Sequence, residues 1–118
     1  MSRAFLTPFG YGAGSGGVIT QATSKSTGVT LNKVSGQITM NAAALAAATT
    51  VSFRLTNTLI SASDVLILNH IAGGTPGSYL LNAQSGAGFA TINVRNITAQ
   101  SRSEAIVIAY ALIKAVIN

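Results

Sequence analysis

Charged side chains are scarce in this chain: seven Lys or Arg and two Asp or Glu make up only 8% of its 118 residues. An ordinary soluble domain is about one quarter charged. The shortage leaves few groups for acid–base catalysis and few for repelling neighbouring molecules. Ser and Thr supply twenty-five positions instead, and a neutral surface of this kind suits contact with other protein. The composition therefore favours a structural or assembly protein over an enzyme.

Cysteine and tryptophan are absent, and histidine occurs once. Without Cys there is neither a disulfide framework nor thiol chemistry, and the redox compartment stays open. The single His has only two distant acidic residues to join it, so a metal site is not expected. GAGSGG at 12–17 matches the glycine pattern of dinucleotide-binding loops, but an arm precedes it and a strand follows it. We expect neither a metal nor a cofactor.

Long apolar runs and clusters of basic residues are also missing. The longest apolar run, Ala105–Ile113, is half the length of a membrane-spanning helix, and the first residues lack the apolar core of a signal peptide. The net charge of +5 raises the question of nucleic acid, since Lys and Arg neutralise phosphates. The basic residues are scattered singly, so we expect no nucleic-acid partner and no membrane partner.

Residues 1–17 differ in composition from the rest of the chain. Five glycines alternate with small residues between positions 10 and 17, a pattern typical of a flexible segment. Phe5, Phe9 and Tyr11 lie in a segment that cannot build its own core. We predict a flexible N-terminal arm over 1–17 whose aromatic residues anchor it on a partner. The alternative is that these aromatics fold back onto their own domain, residues 18–118.

Short runs rich in Val, Ile, Thr and Leu dominate the chain from residue 18 onward. VSFRLTN at 51–57 alternates cleanly, with Val51, Phe53 and Leu55 on one face, which is the pattern of a half-buried strand. The eight predicted strands lie within 18–24, 28–32, 36–40, 51–57, 64–70, 78–84, 90–96 and 104–117. Eight strands with closely spaced turns predict an all-β antiparallel sandwich or barrel.

Two further features bear on the fold. Asn41–Thr49 is rich in Ala and begins with an Asn that can cap a helix, so we predict a short helical turn there. The strands near Asp64–Ile71 and Ala105–Ile117 are apolar on both faces, whereas a two-layer sandwich covers only one face of each sheet. We expect another subunit to cover the second face.

Asp64, His70 and Glu104 are the only candidates for acid–base chemistry. Asp64 and His70 are both even-numbered on one strand and therefore share a face. A Ser–His–Asp arrangement would need a partner spacing that the chain does not display, so no catalytic residues are predicted. The two acidic residues are instead expected to lie at strand beginnings with Arg partners.

Four stretches resemble a recurring small virion protein of tailed bacteriophages. They are VITQATSKSTGVTLNKVSGQITMNAAALAAATTVSFRLTN (18–57), DVLILNHIAGGTPGSYLLNAQSGAG (64–88), INVRNITA (92–99) and SEAIVIAYALIK (103–114), and they cover nearly all of the chain after the arm. Members of this family are stand-alone capsid cement (decoration) proteins or domains of larger tail and fibre proteins. The resemblance implies a jelly-roll-like β-sandwich, which agrees with the strand count.

The leading hypothesis is a phage capsid cement protein that binds the outer shell at capsomer junctions and stabilises the head. Its expected partners are the major capsid protein and further copies of itself, as a homotrimer, on the outer capsid surface after assembly in the host cytoplasm. Arg3 and Arg54 would steer it toward an acidic shell. The alternatives are a receptor- or glycan-binding module of a tail or fibre, and a small RNA-binding coat protein.

Overall fold

The protein is a β-sandwich of two four-stranded sheets, as the sequence predicted. The computed structural model describes residues 10–118. Its strands are β1 (Gly16–Thr20), β2 (Val29–Thr30), β3 (Ser35–Thr39), β4 (Thr49–Thr56), β5 (Val65–Ala72), β6 (Tyr79–Gly86), β7 (Phe89–Asn96) and β8 (Val107–Ile113). Sheet A has the order β1-β3-β8-β5 and sheet B the order β2-β4-β7-β6. Every connection except β6–β7 carries the chain from one sheet to the other.

Both sheets are mixed, where a wholly antiparallel arrangement was expected. β1 pairs in parallel with β3, and β2 pairs in parallel with β4. The other four strand pairs are antiparallel. The parallel pairs arise because successive early strands alternate between the sheets, so that β1 and β3, like β2 and β4, run in the same direction.

The predicted helical turn at Asn41–Thr49 is wrong. The Asn41 side chain accepts the backbone N–H of Ala43 at 2.8 Å, which closes a local turn and does not start a helix. Leu45 then forms a two-way backbone bridge with Arg102, and Ala48 takes a left-handed conformation with φ of 54°. The backbone groups of this segment are therefore satisfied by a distant segment, which competes with helical hydrogen bonds.

Alternating side chains from both sheets form the core. In β8, Ile108, Tyr110 and Leu112 are buried and point toward sheet B. Phe53 and Leu55 of β4 meet them from the opposite sheet, together with buried residues of β7. Tyr110 donates its hydroxyl to the backbone oxygen of Lys33 at 2.9 Å, and burial raises its pKa to about 12.

Two buried asparagines shape the turns that follow strands: Asn57 comes directly after β4, and Asn96 is the last residue of β7. The Asn57 amide donates to the Lys33 backbone oxygen and its carbonyl accepts the N–H of Leu59. Asn96 donates to the Leu45 oxygen and accepts the N–H of Thr98. Each side chain thus closes a turn two residues on and ties it to a distant loop, which satisfies polar groups that would be costly to bury alone.

Candidate interaction surfaces

The strands of sheet A place no charged side chain on its outer face. Strand alternation places these residues on it, all within the part of the chain that the structure describes: Gly16, Val18, Thr20, Ser35, Gln37, Thr39, Val65, Ile67, Asn69, Ile71, Val107, Ala109, Ala111 and Ile113. The β5 and β8 half of the face is apolar, with Val65, Ile67, Ile71 and Ile113 about half exposed. An apolar patch that is continuous across two strands is typical of a protein contact surface.

The outer face of sheet B has the opposite chemistry. It consists of Thr50, Ser52, Arg54, Thr56, Leu80, Asn82, Gln84, Phe89, Thr91, Asn93 and Arg95. Two arginines and three amides project from it, and none of these residues is acidic. The sandwich therefore presents one neutral apolar face and one polar, positively charged face.

Hydrogen bonds across neighbouring strands order the sheet B face. Ser52 donates to the Asn93 side chain, whose amide in turn donates to Asn82 at 2.7 Å. Arg95 donates to the Thr50 hydroxyl at 3.3 Å. These side chains lie directly opposite one another in the strand register, where cross-strand pairs stabilise a sheet. The face is thus held in one arrangement before any partner arrives.

Arg54 is held by an aromatic ring. Its guanidinium lies 3.8 Å from the centroid of the Phe89 ring, within the range of cation–π attraction. The ring lies over Gly86, its partner in the β6–β7 register. A Cβ at position 86 would be 2.4 Å from the Phe89 ring, so only glycine leaves the ring this space. The charge of Arg54 is consequently positioned on the surface.

A polar cluster closes the end of the sandwich where β6 and β8 begin. The Glu104 carboxylate accepts the Tyr79 hydroxyl at 2.6 Å, the Thr75 hydroxyl at 2.8 Å and the Thr75 N–H at 3.2 Å. Arg102 lies 4.0 Å from the carboxylate and donates to the same Thr75 hydroxyl. The hydrogen bonds from Tyr79 and Thr75 hold the pKa of Glu104 below its ordinary value, while burial and the nearby carboxylate raise the pKa of Tyr79.

The acid–base candidates lie at two ends of the molecule. Asp64 precedes β5, accepts hydrogen bonds from Lys114 and from the N–H of Ser61, and has its pKa lowered by these partners. His70 lies six residues farther along, about 20 Å at the rise of a strand. Its ring contacts the Gly73 backbone oxygen and packs edge-on against Tyr79. The structure therefore does not bring Asp64 and His70 together, and Asp64 pairs with a Lys where an Arg was expected.

Lys25 is a buried cation that sequence reasoning did not single out. Its ammonium donates to the backbone oxygens of Asn41 and Glu104, and burial lowers its pKa. Gln21, also buried, donates to the backbone oxygens of Lys25 and Thr27 and accepts the N–H of Asn41. Together these two side chains join the loop after β1 to the segments that flank β3 and β8.

Of the five residues predicted to bind a partner, the structure describes two, Tyr11 and Arg54. Arg3, Phe5 and Phe9 lie outside the described residues. Tyr11 contacts its own domain: its hydroxyl donates to the Leu112 backbone oxygen, and it borders a groove over the apolar half of the sheet A face. Arg54 lies on the outer face of sheet B. The two described residues are therefore on opposite sides of the sandwich.

Comparison with protein-family models, curated proteins and solved structures found no match to this chain. Among residues 10–118 no group of three or more His, Cys, Asp or Glu side chains is placed to hold a metal ion. The same residues contain no helix long and apolar enough to cross a membrane.

Proposed function

We propose that this protein is a cement (decoration) protein of a tailed-bacteriophage capsid, bound to the outer shell and stabilising the head. The resemblance of residues 18–114 to such proteins is the origin of the proposal, and the β-sandwich fold agrees with what the resemblance implies. One observation supports it most directly: a single sandwich carries a neutral apolar face and an ordered cationic face. A protein that lies between other proteins needs two contact surfaces of this kind.

The sheet B face is the surface that we assign to the shell. Arg54 and Arg95 project from it, and an acidic surface of the major capsid protein would complement them. Ser52, Asn93 and Asn82 are already hydrogen-bonded in a chain across this face, so these groups keep their partners when water leaves the contact. Sheet A is then left for contact between copies of the protein, which we propose to be a homo-oligomer.

Binding to capsids assembled without the protein tests the assignment. Arg54→Gln and Arg95→Gln should each weaken binding about tenfold, because each removes a positioned charge from the contact. Lys33→Gln is the matched control. Lys33 is exposed in the loop before β3, so this variant removes the same charge at a position outside the sheet B face. Equal weakening by all three variants would indicate a general charge effect and would overturn the sheet B assignment.

Head stability tests the cement function itself. Capsids without the protein should assemble normally and release their DNA at a lower temperature than decorated capsids. Addition of the purified protein should restore the higher release temperature. Equal release temperatures for bare and decorated capsids would contradict a cement role.

The sheet B face also supports a second candidate, a receptor- or glycan-binding module of a tail or fibre. Asn82, Gln84 and Asn93 present amide groups on the same sheet face as the Phe89 ring, and placed polar groups together with an apolar surface are what a ligand site requires. Labelling the protein in virion images separates the two candidates. Labels spread over the head indicate cement, whereas labels confined to the tail indicate receptor binding.

A further inference from the structure

Sheet A ends in a long strand that lacks charged residues and proline to prevent pairing. β5 hydrogen-bonds to β8 and to no other strand among residues 10–118. Its eight residues, VLILNHIA, contain no Lys, Arg, Asp, Glu or Pro, which are the residues that proteins place on edge strands to prevent pairing. The opposite edges of the sandwich are much shorter, with five residues in β1 and two in β2.

The register shows which backbone groups of β5 are open. The N–H of Leu112 donates to the Val34 oxygen, and the N–H of Met40 donates to the Ile106 oxygen. The backbone N–H and C=O groups of the even-numbered residues of β8 therefore point toward β3. Its odd-numbered residues therefore bond to β5, where their partners include Val65, Ile67 and Asn69. Because the bonding direction alternates along an antiparallel strand, the N–H and C=O groups of Leu66 and Leu68 point to the open edge.

The core is incompletely covered at the same edge. Leu66 and Leu68 of β5 point inward and pack on the core, as do Leu81 and Ala83 of β6, yet all four are only partly buried. Inward-pointing residues of the central strands, such as Ile108 and Ile92, are completely buried. Apolar core side chains thus remain in contact with water along the β5–β6 side.

We propose that β5 pairs with β5 of a second copy, antiparallel and about a two-fold axis at Ile67. The two Ile67 residues then face each other, and Leu66 of each copy exchanges two backbone hydrogen bonds with Leu68 of the other. In this register the free backbone groups of both Leu66 and Leu68 form hydrogen bonds, and the paired segment does not include the bulge between His70 and Ala72. It joins two copies of sheet A into one eight-stranded sheet with a continuous apolar outer face.

A second copy fits this edge better than another partner because the edge is self-complementary. A two-fold contact places the same patch of both copies together, and like charges would normally oppose this in a chain with a net charge of +5. β5 has no charge to repel its copy. The β6 strand on the same side of the sandwich is also uncharged, and the axis turns the two β6 edges toward each other.

Cysteine cross-linking tests the register in the isolated protein, which has no native Cys. In a non-hydrogen-bonded antiparallel pair the Cα atoms are about 4.5 Å apart, a distance that a disulfide spans. Ile67→Cys should therefore yield a covalent dimer under mild oxidation at micromolar concentration. Val65→Cys is the matched control, with 49% exposure against 48% for Ile67, because it faces Asn69 and not itself. A mixture of the Val65→Cys and Asn69→Cys variants should cross-link to each other.

Light scattering supplies the second measurement. The wild type should have the mass of a dimer. Ile67→Lys should be a monomer, because the substitution places two positive charges opposite each other at the two-fold axis. Val18→Lys, on the far edge of the same face, should remain a dimer. Equal cross-linking of Ile67→Cys and Val65→Cys, or a wild-type mass of a monomer or of the trimer expected from the sequence, would overturn the pairing. These measurements use the isolated protein without capsids, so their outcome does not decide the cement proposal, which the capsid experiments test separately.

Discussion

The Tyr79 hydroxyl donates to the Glu104 carboxylate across 2.6 Å and joins the first residue of β6 to the segment that leads into β8. The two strands belong to different sheets. The same carboxylate binds Thr75, in the loop between β5 and β6. This hydrogen bond is therefore a connection between the two layers at one end of the sandwich.

Tyr79→Phe should lower the melting temperature by about 5 °C. The ring keeps its contact with His70, so the loss reports the hydrogen bond to a charged acceptor and not a change in packing. Thermal unfolding followed by circular dichroism measures the effect. Tyr11→Phe is the control, since it also removes one hydroxyl that bonds within the chain, in its case to a neutral backbone oxygen. A melting temperature for Tyr79→Phe as high as that of Tyr11→Phe would contradict the connecting role.

Acid should destabilise the protein through its two carboxylates. The folded state lowers the pKa of both Asp64 and Glu104, so the unfolded state takes up protons first and stability falls as the pH drops below about 4.5. Asp64→Asn should be less stable than the wild type at pH 6 and should lose less between pH 6 and pH 3. Parallel profiles for the two proteins would exclude a contribution from Asp64.

Lys25→Met should destabilise the protein by about 2 kcal/mol, because it leaves the backbone oxygens of Asn41 and Glu104 without a donor. The folded state lowers the pKa of Lys25, so below the ordinary lysine pKa of about 10.4 the unfolded state binds more protons and stability rises with pH. The difference in stability between wild type and variant should therefore grow as the pH approaches this value. Urea unfolding at several pH values measures both effects, and a constant difference would contradict the pH dependence.

Gly86→Ala should displace the Phe89 ring from Arg54. The new methyl group would lie 2.4 Å from the ring, and crowding of this kind costs about 1–3 kcal/mol. Gly88→Ala is the control. Gly88 has a φ of 84°, which strains an alanine, but a Cβ at this position would meet no neighbouring atom. Both variants should unfold at lower temperature, but only Gly86→Ala should shift the NMR signals of the Arg54 side chain. Unchanged Arg54 signals would show that the ring does not hold the guanidinium.

Alternating strands were predictable from the sequence, whereas their partners were not. Val51, Phe53 and Leu55 follow the simple rule that every second residue of β4 faces the core. The parallel pairs β1–β3 and β2–β4 depend on where distant segments meet, and no local pattern encodes that. The helix prediction failed at Asn41, because an Asn that caps a helix and one that closes a turn look alike until the partner of Leu45 is known.

For the surface residues too, the sequence indicated which side chains to consider but not which groups surround them. Arg54 could be selected as an isolated charge on an alternating strand, but its position depends on Phe89 and Gly86, which are more than thirty residues away. Lys25 looked like any other surface lysine, and its burial results from two backbone oxygens contributed by other segments. The scarcity of acidic residues was the one useful signal, since it made both Asp64 and Glu104 candidates for ion pairs.

The alternation of the chain between the two sheets has a consequence for how the protein folds. Among residues 10–118, only the β6–β7 hairpin joins strands that are neighbours in both sequence and sheet, so every other strand pair must close a long loop before it gains a contact. Domains with such non-local pairing fold in milliseconds to seconds, slowly for their size. During that time β5 is an exposed apolar strand, because β8, its partner, lies more than thirty residues farther along the chain and pairs with it only after that segment has folded back.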